Sequence, residues 1–442
     1  MTAVLRGAAA VVVDATTVTR DPLVVVDGWV ADGLPPAGAE TIDVTDCIVT
    51  PGLVNAHHHL LQSAFRSTPA TRNLPMRDWL PAMANRYAQA AVDPDLVAAA
   101  AAVGSAESLL CGVTTVADHH LTWPRGQDPV ALAGATITAA RRIGLRLVFV
   151  RGTAGDDPDV AAQSVLDIHT AHLRDARGGV TADGYLQLAV GPAGLHADGP
   201  DTYAALAEVA GRLGVRRRTQ ANEQVDVEVA LLRHRRRPLE VLEDWGWLAA
   251  DVTLAHLCDI TEAEVDLVAQ KHVSVTHAPA CDVPMGWGVA RVAALRRAGV
   301  HVGLGTSGGG SNDAGHLLAD ARLAVQLSGL IGEPVSAPEI LGAATEGSAV
   351  GLGRGELGHL RPGAAADLCV WDAGDVFDAG ALDPVGSLLW SSPGRRPRDV
   401  MVGGRWVVRD GTLLTADSRQ VAVELNAEVR RRIRSAGGAD HL

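Results

Sequence analysis

The sequence has few of the features that mark secreted, membrane-bound or nucleic-acid-binding proteins. Its five cysteines are scattered and form no Cys-x-x-Cys pair, a pattern typical of the reducing cytoplasm. No run of about 18 uncharged apolar residues occurs, so neither a membrane span nor a signal peptide is predicted. Only 3% of the residues are aromatic and the formal net charge is −13, which disfavours an extended nucleic-acid surface. We therefore expect a cytoplasmic protein whose partners are small molecules, not nucleic acid or membrane.

The composition and the order of apolar runs predict an α/β fold. Hydrophobic residues make up 47% of the chain, and alanine, valine, leucine and glycine predominate, as in helices packed on β-branched strands. Between residues 51 and 355, strand-like runs alternate with Ala- and Leu-rich helical stretches. Eight of these runs end in polar residues, at 57–59, 118–120, 151–152, 191–196, 220–223, 256, 276–277 and 306–307. Polar clusters after eight successive strands predict a (β/α)₈ TIM barrel, because those loops form its active-site face.

The two ends of the chain have a different pattern. Residues 1–50 and 356–420 contain short Val-rich runs separated by Gly and Asp, which are typical of β-hairpins. We expect both segments to combine into one small β-sandwich domain beside the barrel domain at 51–355. A terminal helix is predicted over 421–442, with Arg430 to Arg432 on its solvated face.

The run from Pro51 to His59 carries the most informative motif of the chain. Side chains alternate along a strand, so His57 and His59 point to one face while His58 points to the other. Two such imidazoles are a common half of a zinc or iron site. The alternative is that both histidines are structural and hydrogen-bonded inside the core.

Three stretches together resemble the amidohydrolase superfamily, whose members are barrel-plus-β-sandwich metal hydrolases. They are Val54-Asn-Ala-His-His-His-Leu-Leu-Gln62, Thr71-Arg-Asn-Leu-Pro-Met76 and Thr114-Thr-Val-Ala-Asp-His-His120. Within the superfamily they look most like 8-oxoguanine deaminases and hydroxyatrazine ethylaminohydrolases. The resemblance covers nearly the whole chain and implies displacement of an amino group from a nitrogen heterocycle by water.

The resemblance also implies a set of site residues, some of which this chain keeps. The family's single metal is held by two histidines of strand 1, one histidine of strand 5 and an aspartate of strand 8. Here His57 and His59 match the first pair. Glu223 matches the glutamate that moves protons, and His256 matches the strand 6 histidine that polarises water or substrate. His277 begins the His-x-Pro element of strand 7.

Two expected metal ligands are replaced. The strand 5 position is Gln220 and the strand 8 position is Ser307, so one good nitrogen donor and the only anion are missing. We therefore do not expect the usual four-ligand site to bind zinc or iron tightly, and a metal-free enzyme is an open alternative. His119, His120 and His196, with Asp118 as the anion, could instead rebuild a metal site.

Other residues are assigned to substrate binding, each with a structural alternative. Strand alternation places Arg218 on the inward face with Gln220, where it could attract an anionic intermediate; otherwise it pairs with a carboxylate. Gln62 and Arg66 follow His59 over the pocket, where a helix-start role competes with contact to the heterocycle.

The catalytic residues have structural alternatives as well. Glu223 could form an ion pair with an arginine, and His256 could be a satisfied histidine beneath a turn. Cys281 could be a ligand or nucleophile, but an isolated cysteine between prolines is more often packed. The Gly308–Gly310 run is interpreted as a capped turn and not as an anion site.

The sequence thus predicts an amidohydrolase-like enzyme that cleaves a C–N bond of a small nitrogen-rich heterocycle or amidine-like substrate, with a degenerate metal site. Glu223 and His256 are the catalytic residues. Gln220, His277 and Ser307 join Gln62, Arg66 and Arg218 in binding substrate. The alternatives are a metal-independent acid–base enzyme of specialised metabolism and a non-catalytic pseudoenzyme. A homodimer is the starting assumption for such barrels.

Overall fold

The structure is a computed structural model, and it describes residues 2–435. Seven short strands precede the barrel: β1 Ala3–Arg6, β2 Ala10–Val12, β3 Val18–Thr19, β4 Leu23–Val26, β5 Trp29–Ala31, β6 Glu40–Asp43 and β7 Cys47–Pro51. Strands β1, β4, β5 and β6 form a four-stranded sheet in the order β5-β4-β1-β6. The other three belong to a second sheet that is completed by the end of the chain.

The middle of the chain forms one curled sheet of parallel strands. Its strands are β8 Leu53–His59, β9 Val113–His120, β10 Arg146–Thr153, β11 Leu186–Pro192, β12 Arg216–Ala221, β13 Val252–His256, β14 Ser274–His277, β15 Val302–Leu304 and β16 Ser307–Gly308. The last two are the halves of one broken barrel strand, since β15 pairs with β14 while β16 pairs with β8. The sheet therefore closes on itself, and the predicted (β/α)₈ barrel is confirmed.

Closure requires a very close approach of the broken strand to β8. A Cβ atom on Gly305, between β15 and β16, would lie 2.8 Å from the Cβ and the carbonyl oxygen of His57. Only glycine fits that distance without a backbone shift. The break in the last barrel strand is thus set directly beside the first histidine of the motif.

Helices cover the outside of the barrel and fill its connections. They are α1 Met76–Gln89, α2 Pro94–Leu110, α3 Pro129–Ile143, α4 Pro158–His172, α5 Pro200–Leu213, α6 Gln224–His234, α7 Pro238–Asp244, α8 Glu262–Gln270, α9 Pro279–Asp282, α10 Val292–Arg297, α11 Leu317–Leu330, α12 Ala337–Gly342, α13 Ser348–Gly351, α14 Pro384–Trp390 and α15 Ser418–Ser435. Asp93, Asp128 and Asp157 cap α2, α3 and α4. Each aspartate accepts a backbone N–H of the first turn and precedes a proline, which needs no such partner.

The end of the chain completes the second sheet. Strands β17 Leu368–Asp372, β18 Asp399–Val402, β19 Arg405–Arg409 and β20 Thr412–Leu413 join it in the order β20-β19-β18-β17-β7-β2-β3. Leu5 and Val25 of the first sheet share a buried apolar cluster with Val49, Val370 and Met401 of the second. The predicted β-sandwich built from both chain ends is therefore confirmed.

Helix α15, the last one that the structure describes, buries a residue that the sequence placed on a solvated face. Arg432 is only 6% exposed. It donates to the carbonyl oxygen of Ala90 and pairs with Asp93, so its predicted place on a solvated face is wrong. The part of the predicted helix at 436–442 lies outside the described residues. Within residues 2–435, no helix combines the length and the apolar character that crossing a bilayer requires.

Candidate active site

A cavity of about 800 Å³ lies at the carboxyl ends of the barrel strands. Its floor includes four polar residues from four different strands: His59, Gln220, His256 and Ser307. One face of α1 forms an apolar wall above that floor, with Met76, Trp79, Leu80, Met83 and Tyr87. The cavity therefore offers a polar end to a ligand's reactive atoms and an apolar end to the rest of it.

The two histidines of β8 lie together, as strand alternation predicts. Their ring centroids are 4.9 Å apart, while the Nδ1 of His58 is turned to Thr306 and Ser307. Burial lowers the pKa of His57 far below its usual value and that of His59 to about 4. Both imidazoles are therefore neutral near pH 7. The Nδ1 of His59 bonds the carbonyl oxygen of His119 at 2.7 Å, which leaves its Nε2 free.

Glu223 is fully buried beside the floor of the cavity. It lies just after β12, at the start of α6, and both of its carboxylate oxygens lack a hydrogen-bond partner in the protein. Burial raises its pKa well above the usual value, and the nearby charges of Asp226 and Asp282 add to the shift. The raised pKa favours the protonated form of Glu223, which is the form that a general acid needs.

His256 connects Glu223 to a second buried carboxylate. Its Nε2 lies 3.4 Å from Oε1 of Glu223, and its Nδ1 lies 2.7 Å from Oδ1 of Asp282. The pKa of Asp282 is lowered to about 2; burial alone would raise it, and the charge and hydrogen bonds of His256 and His277 outweigh that effect. Because the carboxylate accepts, Nδ1 of His256 donates to Asp282, and Nε2 faces Glu223.

Three site residues adopt a left-handed backbone conformation. The φ angle is 52° at Asn222, 76° at His256 and 55° at Ser307. Thr253 and Ala255 of β13 pair with Arg218 and Gln220, so strict alternation would turn His256 away from the interior. The positive φ at His256 instead turns its ring toward His57, at a centroid distance of 5.0 Å. Such strain at non-glycine residues clusters at functional sites.

Gln220 and Ser307 both lie at the cavity floor where the resemblance places metal ligands. His57 has a buried Nε2 without a protein partner, so the β8 pair fits a cation. An amide and an uncharged hydroxyl are weak donors for zinc. Within residues 2–435, the two clusters of three His, Cys, Asp or Glu donors are His256 with Cys281 and Asp282, and His196 with Glu223 and Asp226. Of the four metal ligands that the resemblance predicts, the chain therefore keeps only the two histidines as strong donors.

Arg218 lies inside the barrel beneath the floor. It is 3% exposed, and its guanidinium donates across the interior to the carbonyl oxygen of Ala56. No carboxylate within residues 2–435 forms an ion pair with it, and its Nη1 has no partner. Burial and the charge of Arg216 lower its pKa to about 9. Arg218 is not among the residues that line the cavity. It could therefore influence a substrate only through the positive electrostatic potential of its guanidinium beneath the floor.

The other predicted binding residues have different positions. Gln62 lines the cavity, and its Oε1 accepts the backbone N–H of Gly310 at 3.0 Å. His277 is buried behind the floor, with its Nδ1 3.5 Å from Asp282. Arg66 does not reach the cavity, because its guanidinium pairs with Glu107. Of these three, only Gln62 is placed to touch a ligand.

The histidines suggested as replacement ligands are already engaged. His119 bonds the carbonyl oxygen of Gly191, and His120 bonds that of Thr122. His196 pairs with Asp226 at 2.7 Å. Asp118 accepts the backbone N–H of Leu60, and burial raises its pKa to about 7. All four residues line the cavity, and the ring centroid of His119 lies 5.9 Å from those of both His57 and His59. Their hydrogen bonds to other partners nevertheless occupy an atom of each residue.

Asp282 was not predicted from the sequence as a site residue. This residue is fully buried between two site histidines, and it follows His277 by five residues in the stretch from His277 to Asp282. Its position so soon after a strand-end histidine was the available signal. Cys281 was interpreted from the sequence as a packed, unreactive residue, but the structure places it in the lining of the cavity.

Comparisons with known proteins agree with this fold. A model of the amidohydrolase family matches residues 48–407. The 8-oxoguanine deaminase of Pseudomonas aeruginosa is 34% identical over 409 residues, which cover 88% of this chain and 90% of that protein. The 5-methylthioadenosine/S-adenosylhomocysteine deaminase of Halobacterium salinarum is 34% identical over 89% of this chain and 88% of its own length. The crystal structure of atrazine chlorohydrolase from Arthrobacter aurescens TC1 with zinc superposes with a TM-score of 0.90 at 30% identity, covering 96% of this chain and 99% of that one.

Proposed function

Because this chain belongs to the amidohydrolase family and is a hydrolase of non-peptide C–N bonds, we propose that it removes an amino group from a small nitrogen-rich heterocycle or amidine-like substrate. The relatives named above include deaminases and a hydrolase of a triazine. The product in this chain would be the corresponding oxo compound and ammonia.

One observation carries the proposal. Glu223 is fully buried, has no hydrogen-bond partner for either oxygen, and lies 3.4 Å from a site histidine. Leaving a buried carboxyl group unpaired costs free energy. A purely structural glutamate would have found a partner, whereas a proton carrier must keep its oxygens available for the reacting atoms.

The neighbouring side chains supply the remaining functions. Protonated Glu223 donates its proton to a ring nitrogen of the substrate and accepts a proton from the attacking water, whose oxygen bonds to the carbon. Glu223 then passes that proton to the departing amine, and the proton of the new hydroxyl group returns to Glu223. His256, held by Asp282, presents its Nε2 to the reacting atoms. Gln220 and Ser307 offer an amide and a hydroxyl that can hydrogen-bond ring nitrogens or a carbonyl group of the substrate. Gln62 adds a further amide at the cavity wall.

Gln220 and Ser307 also favour a second candidate function, a metal-free enzyme. If Gln220 and Ser307 bind substrate where relatives hold zinc, Glu223 and His256 perform acid–base chemistry without a metal. Such an enzyme could also be a cyclase, a tautomerase, a lyase or a hydrolase of an activated substrate. Metal analysis distinguishes the candidates: about one zinc or iron per chain, with activity lost on chelation, would rule out the metal-free enzyme.

Ammonia release from a panel of amino-purines, amino-pteridines and amino-triazines tests the proposal. We expect one class to be deaminated and the Glu223→Gln variant to lose roughly 100-fold or more in turnover. Glu228→Gln, an exposed change on the same helix, should retain full activity. Equal turnover in wild type and Glu223→Gln would overturn the proposed proton transfer. Binding of a heterocycle without any turnover would instead identify a pseudoenzyme.

A further inference from the structure

We propose that the heterocycle on which this enzyme acts carries a bulky apolar substituent, such as a phenyl or benzyl group, and that the apolar wall of the cavity binds this substituent. The inference deepens the proposed deaminase function and rests on it. A bare amino-heterocycle and one that carries a sugar are then both poorer substrates than the apolar derivative.

The first support is the size of the cavity. Its volume of about 800 Å³ lies toward the upper end of the range of roughly 300–1,000 Å³ that is typical of sites for drug-sized ligands. The polar groups of Gln220, His256 and Ser307 belong to the floor. A heterocycle that is held at this floor through its ring nitrogens therefore leaves the space beside the apolar wall unfilled.

The apolar wall is one continuous face of α1. Ala84 and Ala88 line the cavity together with the five wall residues named above, and the seven positions follow the i, i+3, i+4, i+7 spacing of a single helical face. The exposed residues of the opposite face are Arg77, Asp78, Asn85, Arg86 and Gln89. The apolar face of this amphipathic helix is thus turned to the cavity along the whole length of the helix.

The cavity lining is rich in residue types that are rare in this chain. Of the nine tryptophans and three tyrosines, Trp79, Tyr87, Trp123 and Trp287 line the cavity. Three of the five methionines do so as well, namely Met76, Met83 and Met285. Aromatic rings form favourable edge-to-face and offset-stacked contacts with another ring, and methionine sulfur also contacts aromatic rings favourably. Such a lining fits an aromatic substituent.

Two of the tryptophan rings are fixed by the protein itself. The indole N–H of Trp123 donates to the carbonyl oxygen of Gly152 at 2.8 Å, and the guanidinium carbon of Arg151 lies 4.3 Å from the centre of the Trp123 ring. The indole N–H of Trp79 donates to the carbonyl oxygen of Gly310 at 3.3 Å. An ordered surface loses little conformational entropy when a ligand binds, so its apolar contacts contribute more fully to affinity.

The apolar lining directly adjoins the polar groups that would hold the heterocycle. Gly310 accepts the indole N–H of Trp79 and donates its own N–H to Oε1 of Gln62, so the apolar wall and this amide meet at one residue. The ring of Trp287 lies 5.1 Å from that of His256. A substituent that is bonded to the heterocycle directly, or through a single atom, would therefore reach the apolar lining.

A hydroxyl-rich or charged substituent would find few partners beside α1. Within residues 2–435, the α1 face contributes one hydroxyl group, that of Tyr87, and no charged side chain to the lining. A sugar placed there would lose hydrogen bonds to water without replacing them, which costs free energy. An apolar group would instead gain free energy by leaving water.

The experiment compares matched compounds that differ in one substituent. The pairs are 9-benzyladenine with 9-methyladenine, 2-amino-6-phenylpteridin-4-one with its 6-methyl analogue, and 2,4-diamino-6-phenyl-1,3,5-triazine with its 6-methyl analogue. Ammonia release by wild type gives kcat/KM for each compound. We expect the phenyl or benzyl member of the reactive pair to exceed its methyl partner by about 10-fold or more. Adenosine, which carries a sugar in place of the benzyl group, should bind more weakly than 9-benzyladenine.

A variant of the apolar wall tests where the substituent binds. Leu80→Asn keeps the approximate shape of the side chain but puts an amide in the wall, so it should lower the phenyl-to-methyl ratio of kcat/KM by about fivefold or more. Leu232→Asn is the matched control, because Leu232 is 81% exposed on α6 and is not among the cavity-lining residues. It should leave the ratio unchanged. The comparison of paired compounds in wild type decides the proposal even if Leu80→Asn does not fold.

Several results would overturn the inference. Equal kcat/KM values within every reactive pair, or higher values for the methyl compounds, would reject the apolar substituent and leave the deaminase function intact. An equal fall of the ratio in Leu80→Asn and Leu232→Asn would reject the apolar wall as its binding site.

Binding measurements separate the two proposals if no compound releases ammonia. Isothermal titration calorimetry would then be run at about 0.1 mM, a concentration within the usual range of KM. Tighter binding of the phenyl or benzyl compounds would support the inferred ligand class while rejecting the deamination of these rings. Binding by none of the compounds would overturn the inference.

Discussion

Replacing Asp282 with asparagine removes the charge from a carboxylate that is buried between two imidazoles. The amide keeps an acceptor oxygen near Nδ1 of His256, so the change tests the charge more than the shape. Since His256 then loses the partner that fixes its tautomer, we expect turnover to fall by about 100-fold or more.

The effect on stability follows from the titration of the carboxylate. The pKa of Asp282 is lowered from 3.8 to about 2 in the folded protein, which corresponds to about 2 kcal/mol of stabilisation by the ionised form. Because the folded pKa lies below the unfolded one, this stabilisation is complete above about pH 5 and is lost as the pH falls through 2. Asp282→Asn should thus lower the melting temperature by about 2 °C at pH 7. The gap to wild type should shrink to about half at pH 3.

Differential scanning calorimetry of both proteins at pH 7 and pH 3 measures that gap. Asp320→Asn is the matched control, because Asp320 is 2% exposed and burial raises its pKa to about 8. Both of its oxygens accept a hydrogen bond, from the backbone N–H of Ala280 and from Asn312, so the amide should cost some stability. Because the folded pKa of Asp320 lies above the unfolded one, however, the gap between this variant and wild type should not shrink from pH 7 to pH 3. A gap for Asp282→Asn that is zero, or that is the same at both pH values, would refute the picture of an ion held by His256.

Three further predictions concern the proton carrier, the metal ligands and the contact between the domains. Glu223→Gln should not lower the melting temperature measured by calorimetry, because it replaces an unpartnered buried carboxyl group with a neutral group; a clear loss would indicate a structural role. The double variant Gln220→His with Ser307→Asp regains a nitrogen donor and an anionic donor for a metal ion. Its affinity for zinc, measured by equilibrium dialysis, should therefore exceed that of wild type by more than about 100-fold. Unchanged affinity would show that these two positions do not face the metal. Arg146 forms two hydrogen bonds to Asp367, at 2.8 and 3.0 Å, and Arg146→Ala would leave that carboxylate buried without its cation. This variant should therefore lower the free energy of unfolding, measured with denaturant, by about 3–5 kcal/mol. A loss below about 1 kcal/mol would contradict that reasoning.

Much of the fold was readable from the sequence because buried parallel strands have a strong signature. Every predicted strand end from His59 to His277 falls within a residue or two of an observed one. The His57 and His59 pairing followed from simple alternation. The break between β15 and β16 could not be predicted, because it depends on how the last strand fits beside His57 at Gly305.

The roles of single polar residues were harder to predict, because partners distant in sequence determine them. Arg66 was expected over the pocket, but Glu107 of α2 holds it elsewhere. Arg432 was expected on a solvated face, but it caps the end of α1 at Ala90. The cytoplasmic location, the homodimer and the domain limits at 1–50, 51–355 and 356–420 stay predictions, as does the binding of any metal by His57 and His59.

The sequence alone determined the barrel, the sandwich formed by the chain ends and the family, since these depend on periodic patterns and on motifs of adjacent residues. The sequence also placed His256 in the site through the resemblance. Only the tertiary structure decided how the ring of His256 turns toward His57, that Asp282 is the buried anion of the site and that Cys281 lies beside His256 and Asp282. A left-handed backbone at His256 reverses the direction that strand alternation would give its side chain. Such a local conformation, and the charges that meet through it, depend on packing between strands that the linear order of residues does not record.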